Sequence, residues 1–203
     1  NDKADRLAIR PVAKGYDTIT PGPIKRGISN VFRNLGTPNT AINQFLQGKP
    51  RQGMSDLGRF LVNSTVGLLG WFDVASRSGL PHHDEDFGQT FAVWGVGSGA
   101  FLMLPGRGPT TVRDTVGDLL DFLTNPLTLI SPDRDRYIAY GVGLLDTRAQ
   151  LLAVDGLISG DPYVFVRDAY LQRREFLIND GIIEDDPFFD DFDEDEDYEE
   201  EDF

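Results

Sequence analysis

The chain has 203 residues, long enough to bury a sizeable core, and one domain is the default expectation at that length. It contains no cysteine, which excludes a disulfide framework, a thiolate metal site and a cysteine nucleophile. Its net charge of −14 sits at one end: of 33 acids, 14 follow Ile183 with no base among them, and the other 19 face 19 bases. Residues 1–60 hold 10 bases against 4 acids, a local excess that suits anionic lipid head groups or an acidic partner as well as a solvated basic face. Nucleic acid is disfavoured, because the excess is modest and phosphates would repel the acidic end. The opening residues NDKADRLAIRPVAKGY show no initiator methionine, secretion signal or lipid-acceptor cysteine, so the chain reads as processed or trimmed.

From Pro23, residues Ile24, Ile28, Val31, Phe32 and Leu35 recur at helical spacing while Lys25, Arg26, Asn30, Arg33 and Asn34 take other faces. This predicts an amphipathic helix stopped by Gly36 and Pro38, then a shorter piece carrying Ile42, Phe45 and Leu46. The run LGRFLVNSTVGLLGWFDVA at 57–75 is uncharged from Phe60 to Phe72, yet interrupts its leucines with Asn63, Ser64, Thr65, Gly67 and Gly70. Those polar atoms need partners if buried.

A second uncharged run, FGQTFAVWGVGSGAFLMLPG at 87–106, contains five glycines and a proline. It predicts a short helix to Trp94, then irregular backbone through Gly95, Gly97 and Gly99, with LPGRGPTT as a loop. Thr110 or Thr111 caps the next helix, in which Val112, Val116, Leu119, Leu120 and Leu123 form an apolar stripe and Asp114, Asp118 and Asp121 a polar one; Asn125 and Pro126 end it. A further helix spans 133–154, and a last one starts with Asp161 as cap and Pro162 at its first position and stops near 179–181. The expected fold is all-α: a domain over 1–183, followed by a disordered acidic tail at 184–203. Neither uncharged run is an unbroken apolar helix of about 20 residues, the length a membrane span needs.

The catalytic inventory is thin. His82 and His83 are adjacent in PHHDEDFG, which is no metal-ligand spacing of a helix face and reads as a solvated loop. Ser98 sits in GVGSG, not in a nucleophile elbow, and the same glycines complete no dinucleotide fingerprint. Asp118 and Asp121 are a carboxylate pair in principle, but a helix's polar face explains them more economically, and Arg113 with Asp114 reads as a brace between loop and helix.

Taken together, RPVAKGY at 10–16, the pattern NxFxNLxxPxxxxNxxLQG at 30–48, RFLVNSTVGLLGWFDVA at 59–75, EDFGQTFAVWGVGSGAFLMLPGRGPTTVRD at 85–114 and DPYVFVRDAYLQRR at 161–174 closely resemble the VacJ/MlaA family of Gram-negative outer-membrane lipoproteins. The resemblance covers residues 1–181. It departs at both ends, where the family's lipidated N-terminal segment is missing and the acidic tail is an appendage. It implies a ring-like all-α protein embedded in the periplasmic leaflet of the outer membrane and associated with trimeric porins. Such a protein removes mislocalised phospholipid from the outer leaflet through an amphipathic channel and passes it to a periplasmic carrier of the Mla pathway. No cofactor, metal or catalytic residue is implied.

A phospholipid needs an apolar slot and a polar path for its head group. The channel candidates that supply both are Asn63, Ser64, Thr65, Gly67, Gly70, Trp71 and Phe72 in the first uncharged run, and Trp94, Gly95, Gly97, Gly99 and Phe101 in the second. Two other classes compete: a porin-docking scaffold without a channel, and a lipase using Ser64 or Ser98, which has no visible base nearby in sequence.

Overall fold

The computed structural model describes residues 5–104, 107–153 and 160–182, and helices dominate it. A π-helical turn, Asp5–Ile9, leads into α1 (Arg10–Ile19), which the apolar spacing had not marked. Next come α2 (Gly22–Leu46), α3 (Pro50–Thr65) and the short α4 (Val74–Arg77). After α5 (Phe87–Val93), strands β1 (Phe101–Leu104) and β2 (Gly108–Thr111) form an antiparallel hairpin with Phe101 opposite Thr111 and Leu104 opposite Gly108. That hairpin occupies part of the stretch expected to be irregular. The chain continues through α6 (Val112–Thr124), a 3-10 turn (Pro126–Leu129), α7 (Asp133–Leu151) and α8 (Pro162–Ile178). The expected tail at 184–203 lies outside the described residues.

Helix α2 corrects the sequence reading, since it runs straight through Gly36 and Pro38. The reason lies on the face opposite the apolar stripe. Gly27, Asn34, Thr37, Ala41 and Gln44 are all buried, at intervals of seven, three, four and three, which is one continuous helical face. That face packs along α3, so tertiary contact spans the proline and outweighs one missing backbone hydrogen bond.

The same inversion recurs in α6. Its stripe of Val112, Val116, Leu119 and Leu123 is exposed, whereas Asp114 and Gly117 are buried. Of the carboxylates on the polar stripe, Asp114 is buried and Asp118 and Asp121 are half-buried. Among the described residues the largest fully buried side chains are Gln44, Gln89, Asn43, Thr90, Thr110, Thr111 and Asp56, and the buried apolar set is Ala13, Ala41, Ala75, Phe87, Leu127 and Ala149. Large apolar groups face outward instead, Leu68, Leu69, Leu119 and Leu123 among them. No described helix is long and apolar enough to cross a membrane.

Candidate functional site

The first group of channel candidates folds into one tight turn after α3. Leu68, Leu69 and Gly70 take positive φ of 53°, 59° and 93° in succession, a conformation that leucine rarely adopts. Internal hydrogen bonds hold it: Gly70 N donates to Asn63 O at 2.8 Å, Phe72 N to Gly67 O at 2.9 Å, and Leu69 N to Ser64 O at 3.1 Å. With the backbone satisfied from within, Val66, Leu68, Leu69, Trp71 and Phe72 present apolar side chains to the outside.

Beneath the turn lies a polar lock. Asn63 Nδ2 donates to Asp73 Oδ1 at 3.0 Å, and Asn63 Oδ1 accepts from Ala75 N at 2.9 Å. Arg59, 2% exposed, donates to Asp73 Oδ1 at 3.1 Å, to Ser76 Oγ at 3.0 Å and to the Leu80 carbonyl. Burial alone would raise the Asp73 carboxyl, but hydrogen bonds from Ser76 and Asn63 and the Arg59 charge hold it at about 2. Helix α2 closes the other side: Asn34 Nδ2 donates to Ser64 Oγ at 2.9 Å and Asn30 Nδ2 to Trp71 O at 3.3 Å. The Trp71 ring covers Gly27, where a Cβ would fall 2.7 Å from Cδ2. Thr65 lies at the edge, its hydroxyl returned to Leu61 O at 2.7 Å.

The second group sits between the other end of α2 and the hairpin. Trp94 Nε1 donates to Leu46 O, the last residue of α2, at 3.1 Å, with the ring about half exposed. Gly95 and Gly99 have φ of 87° and 69°, conformations that require glycine, whereas a side chain on Gly97 would meet nothing within 4 Å. Arg113 Nη1 reaches Val96 O at 3.4 Å while its Nε donates to Asp114 Oδ1 at 3.0 Å, so it braces the glycine loop before β1, not LPGRGPTT, against the helix. Phe101 stacks edge-on against Tyr163 and Tyr170 of α8, with ring centres 5.8 and 6.0 Å away. The structure therefore gathers each group locally but keeps them apart, since the levels of Asn30 and Leu46 differ by roughly 24 Å of helix rise.

A second ionic cluster, invisible to local pattern, ties α8 to α5 and α6. Arg174 donates to Asp86 Oδ2 at 2.6 Å and to Asp114 Oδ1 at 3.0 Å, and Tyr170 Oη donates to Asp114 Oδ2 at 2.7 Å. Burial and the bond to Asp114 raise the Tyr170 hydroxyl to about 12. Asp118 and Asp121 do not share a proton. Arg107 forks onto Asp118 at 2.8 and 2.6 Å, and Asp121 Oδ1 accepts from Asn39 Nδ2 at 2.6 Å and Phe87 N at 3.2 Å. Burial pushes the Asp121 carboxyl up to about 6 against the Asn39 hydrogen bond.

His83 Nδ1 lies 2.8 Å from Asp56 Oδ2, which tethers the loop expected to be solvated, and no metal-binding cluster occurs among the described residues. The interior also holds polar atoms without a hydrogen-bond partner among the described residues: both amide ends of Gln44, Gln89 Oε1, Gln52 Oε1, Asp56 Oδ1 and Asn34 Oδ1. Unpaired buried polar atoms cost about 1–3 kcal/mol each in a dry interior, so these call for ordered water.

Residues 1–177 match the family model described as MlaA lipoprotein. The chain is 38% identical over 192 residues to the intermembrane phospholipid transport system lipoprotein MlaA of Escherichia coli (strain K12), covering 87% of this chain and 72% of that protein. Its counterpart in Shigella flexneri is 39% identical over 187 residues with the same coverage, and that of Haemophilus influenzae is 33% identical, covering 87% and 73%. A solved structure, from work on the structural basis for maintenance of bacterial outer membrane lipid asymmetry, superposes with a TM-score of 0.75 at 39% identity, over 86% of this chain and 89% of that one.

Proposed function

The chain belongs to the MlaA lipoprotein family, and from that premise we propose that it removes mislocalised phospholipid from the outer leaflet of the outer membrane. The lipid passes through an amphipathic path in a ring-like body seated in the periplasmic leaflet and is handed to a periplasmic carrier. A trimeric porin is the docking partner. The relatives are named as lipoproteins of a phospholipid transport system, and this reading keeps that role.

One observation carries the reading: the polarity of the molecule is inverted. Fully buried Gln44, Gln89, Asn43 and Thr90 line the inside of the helices, while Leu68, Leu69, Phe72, Leu119 and Leu123 face out. Water would penalise such a surface at about 25 cal/mol per Å² of apolar area, and acyl chains would not. The polar interior supplies what a head group needs on its way through an apolar phase. Trp71 and Trp94, both partly exposed, suit the lipid interface at the two ends of α2.

The test is to extract the full-length protein from its native membrane in mild detergent and count bound phospholipid per protein by mass spectrometry. Near-stoichiometric lipid is expected. Porin recovered without enriched lipid would replace the channel with a docking scaffold, and recovery of neither would remove the membrane assignment.

A further inference from the structure

Between α1, α2 and α7 lies a cavity of about 550 Å³ whose lining includes Lys25, Arg26, Ser29, Asn30 and Arg33 from α2. We infer that this cavity seats a phosphate-bearing group, with Arg26 and Arg33 as the two cations that hold it. The inference deepens the transport reading and rests on it for the source of the phosphate, a phospholipid head group; free phosphate shares the chemistry.

The argument begins with which charges are already taken. Asp17 is bound by Lys25 at 2.5 Å, so that pair is internally neutral. Asp146, 4% exposed, is occupied on both oxygens: Tyr16 Oη donates to Oδ1 at 2.9 Å, and Ser29 Oγ and Gln150 Nε2 donate to Oδ2 at 2.7 and 2.9 Å. Arg26 and Arg33 have no carboxylate within ion-pair distance among the described residues, and both are exposed. They stand seven residues apart on one helix, two turns along the same face, with Ser29 and Asn30 between them. A guanidinium offers its donors in a planar fork that matches phosphate oxygens, and two such forks flanking one cavity favour an anion over a zwitterion's ammonium.

Position adds the second argument. Arg33 also lines a separate tight cleft with Asn34, Thr37, Arg59, Asn63, Asp73 and His82, beneath the Trp71 turn. In that cleft, only about 10 Å³ in volume, Arg59 is engaged with Asp73, so Arg33 is the guanidinium left to turn toward a ligand in the wide cavity. Asn30 lines both spaces and donates to Trp71 O, which couples the cavity wall to the apolar turn. A head group held at Arg26 and Arg33 therefore lies beside exposed apolar side chains that can take its acyl chains.

The experiment compares wild type, Arg33→Gln, the double variant Arg26→Gln/Arg33→Gln and the double control Arg51→Gln/Arg77→Gln, which removes the same charge elsewhere. Each full-length protein, in mild detergent, is titrated with phosphatidylglycerol, with diacylglycerol and with inorganic phosphate, and co-purified phospholipid is counted. Loss of about tenfold or more in phosphatidylglycerol affinity is expected for the cavity double variant, with diacylglycerol binding and the control unchanged. Unchanged lipid binding in a folded double variant would overturn the seat while leaving transport intact. If wild type carries no phospholipid but binds inorganic phosphate through Arg33, the anion seat stands and the transport reading falls. Binding of neither probe would overturn both.

Discussion

The two uncharged runs look alike as sequence, glycine-rich with one tryptophan each, but they are built on opposite plans. The charges that bracket the first, Arg59 and Asp73, pair with each other and cinch the turn from below. Those that bracket the second go elsewhere: Asp86 pairs with Arg174 of α8, and Arg107 with Asp118 of α6. The first run is consequently a closed knot in which glycines are wedged. The second is a short helix and a strand joined by a loop that is held from outside, by Leu46 at Trp94 and by α6 at Val96, Ser98 and Ala100, with open space around Gly95 and Gly97. Glycine content alone does not distinguish a packed backbone from a free one; what the flanking charges reach does.

The sharpest way to break the contrast is a side chain inside the knot. At Gly67 a Cβ would run into the Phe72 carbonyl oxygen and lie 2.5 Å from Asn63 O, both backbone atoms that cannot turn away. Gly67→Val is expected to lower unfolding stability in detergent by about 3 kcal/mol or more. A thermal midpoint close to wild type would show that the knot is looser than drawn.

Next in size is the lock itself. Asp73→Ala strands the Arg59 guanidinium, 2% exposed, with only a carbonyl and a hydroxyl for company. A loss of about 3 kcal/mol in denaturant unfolding is expected, since an uncompensated buried charge remains. Because the folded Asp73 carboxyl sits at about 2, below its ordinary 3.8, its contribution is complete above pH 4 and disappears as pH falls through 2. Acid titration that removes this stability above pH 5 would contradict the assignment.

The second region depends on a carboxylate of opposite habit. Asp121 accepts from Phe87 N at the start of α5 and is raised to about 6, so its favourable form is the protonated one. The stability linked to it is present below pH 3.8 and is lost as pH rises through 6. Between pH 4 and pH 7.5 the difference between wild type and Asp121→Asn should move by about 1–2 kcal/mol in the variant's favour, allowing for partial screening. A pH-independent difference would place the Asp121 carboxyl in its ordinary range.

What was legible beforehand was mostly local. The cap Asp161 with Pro162, the cap Thr111, the short helix before Trp94 and the end at Asn125 all rest on contacts a few residues apart, and all are present. The stop signals Gly36 and Pro38 predict two pieces where α2 is one helix, because breaker residues weigh on the local backbone while a packed face can span them. Its buried face, Asn34, Thr37, Ala41 and Gln44, carried helical periodicity in polar and small residues and would have run the helix past Pro38. For the first site, the signal was available in Arg59 and Asp73, the nearest charges on either side of the uncharged run. Nothing in local pattern announced Arg174 between Asp86 and Asp114, because those partners meet only when α8 returns across α5 and α6. The Arg26 and Arg33 cavity was foreshadowed only by the basic excess of the first 60 residues.

The smallest effect on stability belongs to the open loop, and there the effect on function should be largest relative to it. Gly95 and Gly99 need their left-handed backbone, so substituting them confounds strain with any role in lipid passage. Gly97 has no left-handed φ and a Cβ added there would meet nothing within 4 Å, so Gly97→Phe should leave the unfolding free energy within about 0.5 kcal/mol of wild type. Co-purification with the proposed porin partner should likewise persist, since nothing in the packing changes. If the loop borders the lipid path, the added ring narrows it, and phospholipid transfer to acceptor vesicles should slow while bound lipid stays near stoichiometric. Transfer at the wild-type rate would remove the loop from the proposed lipid path and leave it as a rim that α8 braces through Phe101.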